Sequence, residues 1–359
     1  MRLLALLSDG FGATGGIARF NRDLIAALAQ SPRISEVAVL PRFGAEAAAV
    51  PAKARQLAPC PGRIFWSLRT LALAAERRFD AVFCGHLHAV PLAAAVAGLR
   101  RVPLWVQVHG TEAWQPPGAV HRLSLSAAAL VTSVSRYTRT RLLTWAAVAP
   151  HRVRVLPSTV DAACTPAPRR DDLIARYGLE GRRIILTVGQ LSAAERCKGH
   201  DRVIAALPGI LARVPDAACL IVGSGDDRPR LAQLAEEAGV AERVVLAGQV
   251  SDAELGDHFA LAHVLAMPST GEGFGIVHLE AAASGLAVIA GNADGSVDAL
   301  ADGRIGRLID PLEVAEIEAA VIDALEGRHP APQAEEEARR FAFPRFAAHV
   351  DALVASLAR

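Results

Sequence analysis

Lysine is almost absent from the sequence. Only Lys53 and Lys198 occur among 38 basic residues, so arginine carries nearly all of the positive charge. A lysine that persists in such a chain is a candidate for a specific role, which directs attention to Lys198.

Cysteine is scarce too, and its positions are scattered. No two of the five cysteines have CxxC spacing, so the sequence suggests neither a disulfide framework nor a zinc site. Scattered free cysteines fit a reducing cytoplasm. The five are Cys60, Cys84, Cys164, Cys197 and Cys219.

Long apolar runs are missing as well. No run reaches the ~18–20 residues that a membrane-spanning helix needs. The apolar segment 2–8 is too short for a secretory signal, and we expect it to form a buried strand. The chain has 359 residues, whereas one hydrophobic core serves roughly 250–300, so two domains are expected.

The net charge of +1 conceals an asymmetry between the two halves. Residues 1–161 hold 19 basic and 8 acidic side chains, a balance of +11, and the remainder holds 19 and 29, a balance of −10. Such asymmetry suggests an anion-binding face. The candidate partners are an acidic membrane surface, a phosphorylated acceptor or nucleic acid.

Short apolar runs alternate with longer segments of helical periodicity. The runs are continuous, which is typical of parallel strands buried on both faces. The repeated strand-then-helix order predicts an α/β fold with two doubly wound parallel sheets. The predicted strands are 2–8, 35–41, 80–85, 103–110, 130–135, 183–190, 217–225, 243–250, 264–269 and 287–291, and helical candidates include 16–30, 198–214 and 228–239.

The segment 155–170 is rich in proline and small polar residues, which suits a hinge between domains. We therefore predict domains at 1–165 and 166–342. The final segment, 336–359, is predicted to be one helix interrupted at Pro344. Its part from about 343 to 359 is expected to complete the first domain.

Two carboxylates, Glu272 and Glu280, stand eight positions apart in the stretch TGEGFGIVHLEAAASG, residues 270–285. A strand ends before this stretch, a glycine-rich turn follows, and a helix is predicted from about Ile276. The helix N-terminus suits phosphate, and Gly273 and Gly275 allow the backbone to approach a ligand closely. An ionised Glu280 among alanines needs a partner. Ligand hydroxyls, an arginine or a solvated edge would each serve.

Six stretches together resemble a known family. They are TGGIARF (14–20), VHGTEAW (108–114), VGQLSAAERCKG (188–199), IVGSGDD (221–227), AGQV (247–250) and the acidic pair with Gly-Phe-Gly after its first member. In this order they resemble the retaining nucleotide-sugar glycosyltransferases of family four, the glycosyl transferases group 1. The resemblance covers essentially the whole chain. It implies the GT-B architecture: two Rossmann-like domains facing each other across a cleft, the first for the acceptor and the second for the donor.

The resemblance also assigns roles in the donor site. It implies that Glu272 contacts hydroxyls of the transferred sugar and that Glu280 binds the ribose. The base would be read by backbone amides near 247–250, which says little about its identity. The implied donor-binding residues are Gly15, Gly16, Gly189, Gln190, Gln249, Val250, Gly273, Phe274, Gly275, Ile276 and Glu280.

The loop 188–199 is the expected diphosphate site. Fixed cations stabilise the charge that a departing diphosphate gains, and family members place an arginine and a lysine here. Lys198 matches the lysine, but Gln190 follows Gly189 where the family has arginine. Either Arg196 supplies the second cation or the site is weaker. Alternatively, Arg196 and Lys198 are ordinary solvated charges at a helix start, although the helix dipole disfavours cations there.

The first domain offers a second group of candidates. Gly15 and Gly16 follow strand 2–8, and two glycines allow close approach of the backbone to donor phosphates or acceptor. By resemblance, His109 at the end of strand 103–108 faces the donor sugar across the cleft, although a strand-end histidine is often structural. The predicted catalytic set is His109, Arg196, Lys198 and Glu272. Further polar candidates are Arg19, Glu112 and Arg136.

The sequence predicts neither an essential metal nor a cofactor. No Asp-x-Asp follows a strand, and Asp226 with Asp227 reads as a turn. Paired carboxylates also serve glycosidases, but a hydrolase has no use for a cationic diphosphate loop. Two other functions stay open: a non-catalytic GT-B module that binds a sugar nucleotide, which the departure at Gln190 favours, and a sugar-nucleotide epimerase.

We expect a retaining hexosyltransferase that uses a GDP-mannose or UDP-glucose type of donor and a glycan, lipid-linked or small-molecule acceptor, in polysaccharide or glycoconjugate biosynthesis. No nucleic-acid-binding motif is visible, so nucleic acid is not an expected partner. The segment 62–79 mixes aromatic, aliphatic and basic residues as interfacial helices do, although a helix packed on its sheet shows the same pattern. This segment and the basic first half together favour a cytoplasmic protein that binds peripherally to an anionic membrane.

Overall fold

The computed structural model describes residues 1–45, 49–328 and 334–357, apart from the side chains of residues 252 and 253. The chain divides into two compact units, called unit 1 (Met1–Thr159 with Phe343–Arg359) and unit 2 (Val160–Ala342). The chain passes into unit 2 at Val160, whose backbone pairs with that of Ala342. Residues 160–165, assigned to the first domain from sequence, therefore group with unit 2 in this division.

Each unit contains one parallel sheet. The strands of unit 1 are β1 (Arg2–Asp9), β2 (Glu36–Phe43), β3 (Ala54–Gln56), β4 (Ala81–Cys84), β5 (Leu104–Val108), β6 (Leu130–Ser133) and β7 (Val153–Val155). Those of unit 2 are β8 (Arg183–Val188), β9 (Ala217–Val222), β10 (Val244–Gly248), β11 (Val264–Met267), β12 (Ala287–Gly291) and β13 (Arg307–Ile309). The spatial orders are β3-β2-β1-β4-β5-β6-β7 and β10-β9-β8-β11-β12-β13.

Helices connect these strands. They are α1 (Gly16–Gln30), α2 (Arg63–Glu76), α3 (Val90–Arg100), α4 (Ala119–Ser126), α5 (Arg136–Leu143), α6 (Asp171–Tyr177), α7 (His200–Arg213), α8 (Arg228–Glu237), α9 (Asp252–Leu261), α10 (Ile276–Ala283), α11 (Ser296–Ala299), α12 (Val314–Leu325), α13 (Ala334–Ala338) and α14 (Phe343–Leu357). Together with the parallel sheets, they give each unit the doubly wound α/β architecture that the sequence predicts.

The cores follow from the continuous apolar runs. In β1 the five residues from Leu3 to Leu7 are all buried, and in β9 every residue is buried. A strand covered by helices on both faces has no solvated side, so apolar residues occupy successive positions instead of alternate ones. The strand order reverses between β1 and β4 in unit 1, and between β8 and β11 in unit 2. Ligands of such sheets bind beyond the carboxyl ends of strands at these reversals.

The C-terminal segment corrects one expectation. Pro344 does not interrupt a helix that starts near residue 336, because α13 ends at Ala338 and α14 begins at Phe343. The proline is the second residue of α14, where a helix needs no amide donor. This helix packs on α1: Ser31 donates a hydrogen bond to Asp351 at 2.6 Å, and Phe20 meets Phe346 edge to face. Residues 358 and 359 of the predicted segment lie outside the described residues.

Candidate active site

Two loops at the reversal point of unit 2 hold the acidic and basic candidates. The first leaves β8 at Gly189 and reaches α7 through Lys198, and the second leaves β11 and reaches α10 through Glu272. The amide of Thr270 donates to the carbonyl of Cys197 at 2.8 Å and joins the two loops. Gly199 has φ +85°, and a Cβ there would lie 2.3 Å from the carbonyl oxygen of Pro268. The loops pack so closely that only glycine fits at this position.

Lys198 and Glu272 form an ion pair across these loops. The Nζ–Oε2 distance is 2.6 Å, and less than a fifth of either side chain is exposed. Burial by itself would lower the pKa of Lys198, but the neighbouring carboxylate outweighs it and raises the pKa to about 12. Burial would likewise raise the pKa of Glu272, yet Lys198 holds it below its ordinary value. Both groups are therefore charged near neutral pH.

The start of α10 supplies the third feature of this site. Gly275 caps the helix with φ +89°, Ile276 is the first helical residue, and no acidic side chain lies in the first turn. Gly273 precedes Phe274, which is buried and packs against Phe341 with ring centroids 5.8 Å apart. The helix N-terminus thus keeps the positive end of its dipole available for an anion.

Glu280 lies in the second turn of α10. It belongs to a run of six buried residues that extends from His278 to Ala283, and only 8% of its surface is exposed. The structure therefore excludes a solvated edge as the explanation for this acid.

The structure pairs Arg196 with a carboxylate of its own, that of Asp227. Its Nε atom lies 3.1 Å from the carboxylate of Asp227, and about half of its side chain is exposed. Asp227 is almost fully buried and also binds Arg230. Arg196 is thus held by a carboxylate instead of standing free beside the ion pair. Gln190, at the position of the family's arginine, is exposed.

The remaining donor candidates follow the neighbouring strands. The amide of Gly189 donates to Val222 at 3.0 Å, which ties the loop after β8 to the end of β9. Gln249 follows β10, and its side-chain oxygen accepts a hydrogen bond from Ser224 at 3.3 Å. Val250 comes next and is partly exposed. These residues lie along the same carboxyl edge of the sheet as Lys198 and Glu272.

Unit 1 brings its own candidates to its strand ends. Gly15 caps α1 with φ +96°, and Gly16 opens the helix with no acid in the first turn. His109 follows β5; its amide donates to Glu112 at 2.5 Å and its Nε2 lies 2.9 Å from the carbonyl oxygen of Gly85. A carbonyl only accepts, so Nε2 carries the proton and Nδ1 keeps its lone pair. Burial lowers the pKa of His109, and the ring is neutral. Of the further candidates, Arg19 lies in α1 and Arg136 opens α5.

Three residues of unit 2 were missed by the sequence reasoning. His200 and His278 are buried, and the Nε2 atom of each has no hydrogen-bond partner within the described parts of the chain. Asp294 is fully buried and accepts hydrogen bonds from the Glu272 loop. His200 directly follows the Lys-Gly motif and His278 lies between the two acids, so spacing alone could have found them. Asp294 had no such signal, because only the fold brings the ends of β11 and β12 together.

The described residues contain no cluster of three or more His, Cys, Asp or Glu side chains arranged to hold a metal ion. The candidate site in unit 2 contains an ammonium, a carboxylate and a helix N-terminus. Such a group can bind the hydroxyls and phosphates of a sugar nucleotide.

Comparison with known proteins agrees with this chemistry. Residues 169–341 match the model described as glycosyl transferases group 1, and residues 14–163 match that of glycosyltransferase family 4. A GDP-mannose-dependent alpha-(1-6)-phosphatidylinositol monomannoside mannosyltransferase of Mycolicibacterium smegmatis is 37% identical over 276 residues, which cover 72% of this chain and 70% of that protein.

Solved structures show the same fold. Sucrose-phosphate synthase from Thermosynechococcus elongatus has a TM-score of 0.78 at 21% identity, with 99% of both chains covered. Anabaena HepE, crystallised with UDP and glucose, has a TM-score of 0.79 at 20% identity, also with 99% of both chains covered. Fold and site together define a nucleotide-sugar glycosyltransferase of GT-B architecture. The chain belongs to the glycosyl transferases group 1 family.

Proposed function

We propose that this enzyme transfers a hexose, with retention of anomeric configuration, from a nucleoside-diphosphate sugar to a hydroxyl group of a glycan or lipid-linked acceptor. The Mycolicibacterium relative is named for GDP-mannose and for a phosphatidylinositol mannoside. That name supports GDP-mannose as the first donor to test, ahead of UDP-glucose, and a lipid-linked mannoside as the first acceptor.

In the proposed reaction, the bond between C1 of the sugar and the β-phosphate oxygen breaks. A bond from C1 to the acceptor oxygen forms on the same face, and the departing phosphate takes the acceptor proton. Lys198 stabilises the charge that develops on the diphosphate, and the N-terminus of α10 holds a phosphate. Glu272 accepts hydrogen bonds from sugar hydroxyls, and Glu280 accepts those of the ribose. No metal or cofactor has a part in this scheme.

His109 has a proposed role in the same reaction. Its ring is fixed by the Gly85 carbonyl and by the edge of Phe20, whose ring centroid is 5.1 Å away. The neutral ring offers the Nδ1 lone pair to a substrate hydroxyl. This arrangement positions a hydroxyl without adding a positive charge at this end of the unit 1 sheet.

One observation carries the proposal: the buried Lys198–Glu272 pair at the reversal point of unit 2. A buried ion pair is costly to keep where apolar side chains would pack. A donor that presents both phosphate and hydroxyl groups uses the two charges separately. This double use explains why the pair occupies the point where parallel sheets bind ligands.

The test compares Lys198→Met and Glu272→Gln with Lys53→Met. Lys53 lies in unit 1 and donates to the carbonyl of Ser31 at 2.8 Å, so its variant repeats the same chemical change away from the site. We expect Lys198→Met and Glu272→Gln each to lower kcat about 100-fold or more and to leave a measurable residual turnover, because each removes one transition-state contact. Radiolabelled GDP-mannose and a lipid-linked mannoside measure transfer, and NMR of the product measures retention.

Two results would overturn the proposal. Full turnover of Lys198→Met with GDP-mannose and UDP-glucose would exclude a leaving-group role for the lysine. Conversion of the donor without any dependence on acceptor would instead indicate an epimerase. Thermal unfolding with and without GDP, UDP and their sugars identifies the donor, since a bound ligand raises the midpoint.

We also propose that unit 1 docks on an anionic membrane surface through α2. Its residues Ile64, Phe65, Leu68 and Leu71 are exposed, whereas Trp66, Thr70 and Ala74 form the buried face. Positions i, i+1, i+4 and i+7 share one side of a helix, so these apolar side chains form one surface, here called the α2 patch.

Charge supports an anionic lipid surface as the occupant of the α2 patch. Arg63 is the first residue of α2, where the helix dipole disfavours a cation. Arg42 lies 5.1 Å above the ring of the half-exposed Phe43 and donates to the carbonyl of Pro61, next to the start of α2. No helix in the described ranges is long and apolar enough to span a bilayer. From the apolar side chains of the α2 patch and the arginines beside it, we propose a peripheral location on the cytoplasmic face.

A further inference from the structure

A buried carboxylate holds the loop that carries Glu272. Asp294 follows β12, which lies beside β11 in the sheet, and its side chain is fully buried. Its Oδ2 atom accepts the amide of Glu272 at 2.7 Å and the hydroxyl of Ser269 at 2.5 Å. Its Oδ1 atom accepts the amide of Ser296 at 2.9 Å. The carboxylate thus joins the start of the Glu272 loop to the segment after β12.

The backbone beside Asp294 holds the same residue from the other side. The amide of Gly295 donates to the carbonyl of Glu272 at 2.8 Å. A Cβ at Gly295 would lie 2.0 Å from the carbonyl oxygen of Gly273, so the two segments are in direct contact. Both backbone polar groups of Glu272 are therefore fixed by residues 294 and 295. The backbone from which the Glu272 side chain reaches Lys198 is therefore held in place.

Burying the carboxylate of Asp294 costs folding free energy, which its hydrogen bonds offset only in part. Burial raises the pKa of this carboxyl, against the hydrogen bonds that its donors supply. An apolar residue would fill the space without that cost, but it would leave the amide of Glu272 without an acceptor. Only a group that accepts on both of its oxygens satisfies the three donors at once.

We propose that Asp294 is a positioning residue for sugar transfer, which fixes Glu272 at the distance that both Lys198 and the donor require. This inference rests on the proposed function of Glu272. It predicts that Asp294 acts on the bound sugar and not on the nucleotide, because its contacts reach the donor site only through the Glu272 loop. A displacement of about 1 Å in a group that touches the reacting centre can lower turnover about 100-fold.

The test uses Asp294→Asn, with Asp310→Asn as the matched control. Asparagine has one acceptor oxygen instead of two, so an NH2 group faces either the amide of Ser296 or the two donors to Oδ2, Glu272 and Ser269. Asp310 follows β13, the next strand, and its carboxylate likewise accepts a backbone amide, that of Leu312 at 2.9 Å. We expect Asp294→Asn to lower kcat with GDP-mannose about 10- to 100-fold while the Kd of GDP changes less than about threefold. Asp310→Asn should change neither quantity.

A double-mutant cycle with Glu272→Gln separates positioning from a general loss of structure. If Asp294 acts through Glu272, adding Asp294→Asn to Glu272→Gln should lower the remaining donor turnover by less than about twofold. Equal effects of Asp294→Asn in both backgrounds would overturn the inference, as would unchanged kcat in the single variant. Full turnover of Glu272→Gln would instead remove the proposed function and, with it, the basis for this role.

Ser269→Ala keeps the inference testable if Asp294→Asn does not fold. This variant removes one donor to Oδ2 and leaves the carboxylate in place. We expect a smaller loss of kcat, about threefold to tenfold, with the same unchanged Kd for GDP and the same dependence on Glu272. A loss of GDP affinity in parallel with kcat would contradict a role limited to the sugar.

Discussion

Lys198 and Glu272 form a direct ion pair in the structure, with 2.6 Å between Nζ and Oε2. A direct pair of this kind stabilises both ions in a buried site, and removing one partner leaves the other as an uncompensated charge, at a cost of about 3–5 kcal/mol. Loss of activity in either variant therefore has to be compared with its stability. In the proposed reaction, the donor replaces this one contact with several, from its phosphate to Lys198 and from its hydroxyls to Glu272.

The buried histidines make stability depend on pH. Burial is the largest cause that lowers the pKa of His200 and of His278 from 6.5 to about 4. Below pH 6.5 the unfolded chain binds protons that the folded chain refuses, so stability present above pH 6.5 is lost as the pH falls toward 4. At about 1.4 kcal/mol per pKa unit, each histidine accounts for a loss of roughly 3 kcal/mol in the free energy of unfolding over this pH range. Urea unfolding between pH 8 and pH 4.5 should show this loss.

His278→Gln isolates one of these contributions. Its free energy of unfolding should run parallel to that of the unchanged protein above pH 7, where the histidine is neutral in both states. Below pH 6.5 the two curves should converge or cross, because the variant no longer has the proton of His278 to exclude. Curves that stay parallel down to pH 4.5 would show that His278 titrates normally.

At the scale of single residues, the sequence could predict identities but not pairings. Lys198 stood out because lysine is rare, and Glu272 because it lies in a glycine-rich turn. Nothing in the spacing of 74 positions between them predicts a direct contact. Arg196 was a reasonable second cation from its place in the loop, but its ion pair with Asp227 depends on the meeting of the β8 and β9 loops. Contacts between distant segments are set by the fold.

Among the elements, the longer strands could be predicted from the sequence, including the edge strand β10, and three short edge strands could not. Ten strands were expected from continuous apolar runs, and each of those runs overlaps a strand of the structure. Among the described residues, the strands missed are β3, β7 and β13, which have three residues each. The first two are the edge strands of the sheet in unit 1, and β13 is an edge strand of the sheet in unit 2. A strand of three residues is too short to show an apolar run, and in each of these strands at most one residue is buried.

Gly223 allows the end of β9 to pack directly against the loop that follows β8. It follows β9 with φ +150°, and a Cβ there would lie 1.8 Å from the carbonyl oxygen of Gly189. Gly223→Ala should therefore displace the loop after β8, which carries Gln190 and Lys198. We expect a loss of about 1–3 kcal/mol in stability from the overpacking and a fall in kcat. Urea unfolding and the transfer assay measure the two effects.

Gly239→Ala is the control for Gly223→Ala. Gly239 also has a positive φ, +69°, but a Cβ there would meet no atom within 4 Å. Its variant should lose only the backbone preference, about 1 kcal/mol, and should keep full kcat. Equal kcat in the two variants would show that the contact between Gly223 and Gly189 does not position the loop after β8 for transfer.

For the whole molecule, charge asymmetry and architecture lead to separate conclusions. The alternation of strands and helices predicts two doubly wound sheets, and the structure confirms the α/β GT-B fold. The division at Val160 and the packing of α14 on α1 depend on contacts between the two ends of the chain. The balance of +11 in residues 1–161 bears on which partners the surface attracts, and it does not determine the fold.

The last prediction concerns the α2 patch. The unchanged protein should sediment with vesicles that contain phosphatidylglycerol and much less with phosphatidylcholine alone, and salt should weaken the binding because it screens the arginines. Ile64→Ser with Phe65→Ser should weaken binding about tenfold or more, since two exposed apolar side chains no longer enter the lipid interface. Transfer to a water-soluble acceptor should stay unchanged.

Leu312→Ser provides the matched control for the α2 patch. Leu312 lies in unit 2 and is 67% exposed, comparable to Phe65 at 62%, so its variant removes one exposed apolar side chain away from the basic half. Vesicle binding should be unaffected if α2 makes the contact. An equal loss in Leu312→Ser would indicate nonspecific adhesion of apolar surface. Equal binding of the unchanged protein to both lipids would exclude the arginines as membrane contacts, because a cationic surface must distinguish an anionic bilayer from a neutral one.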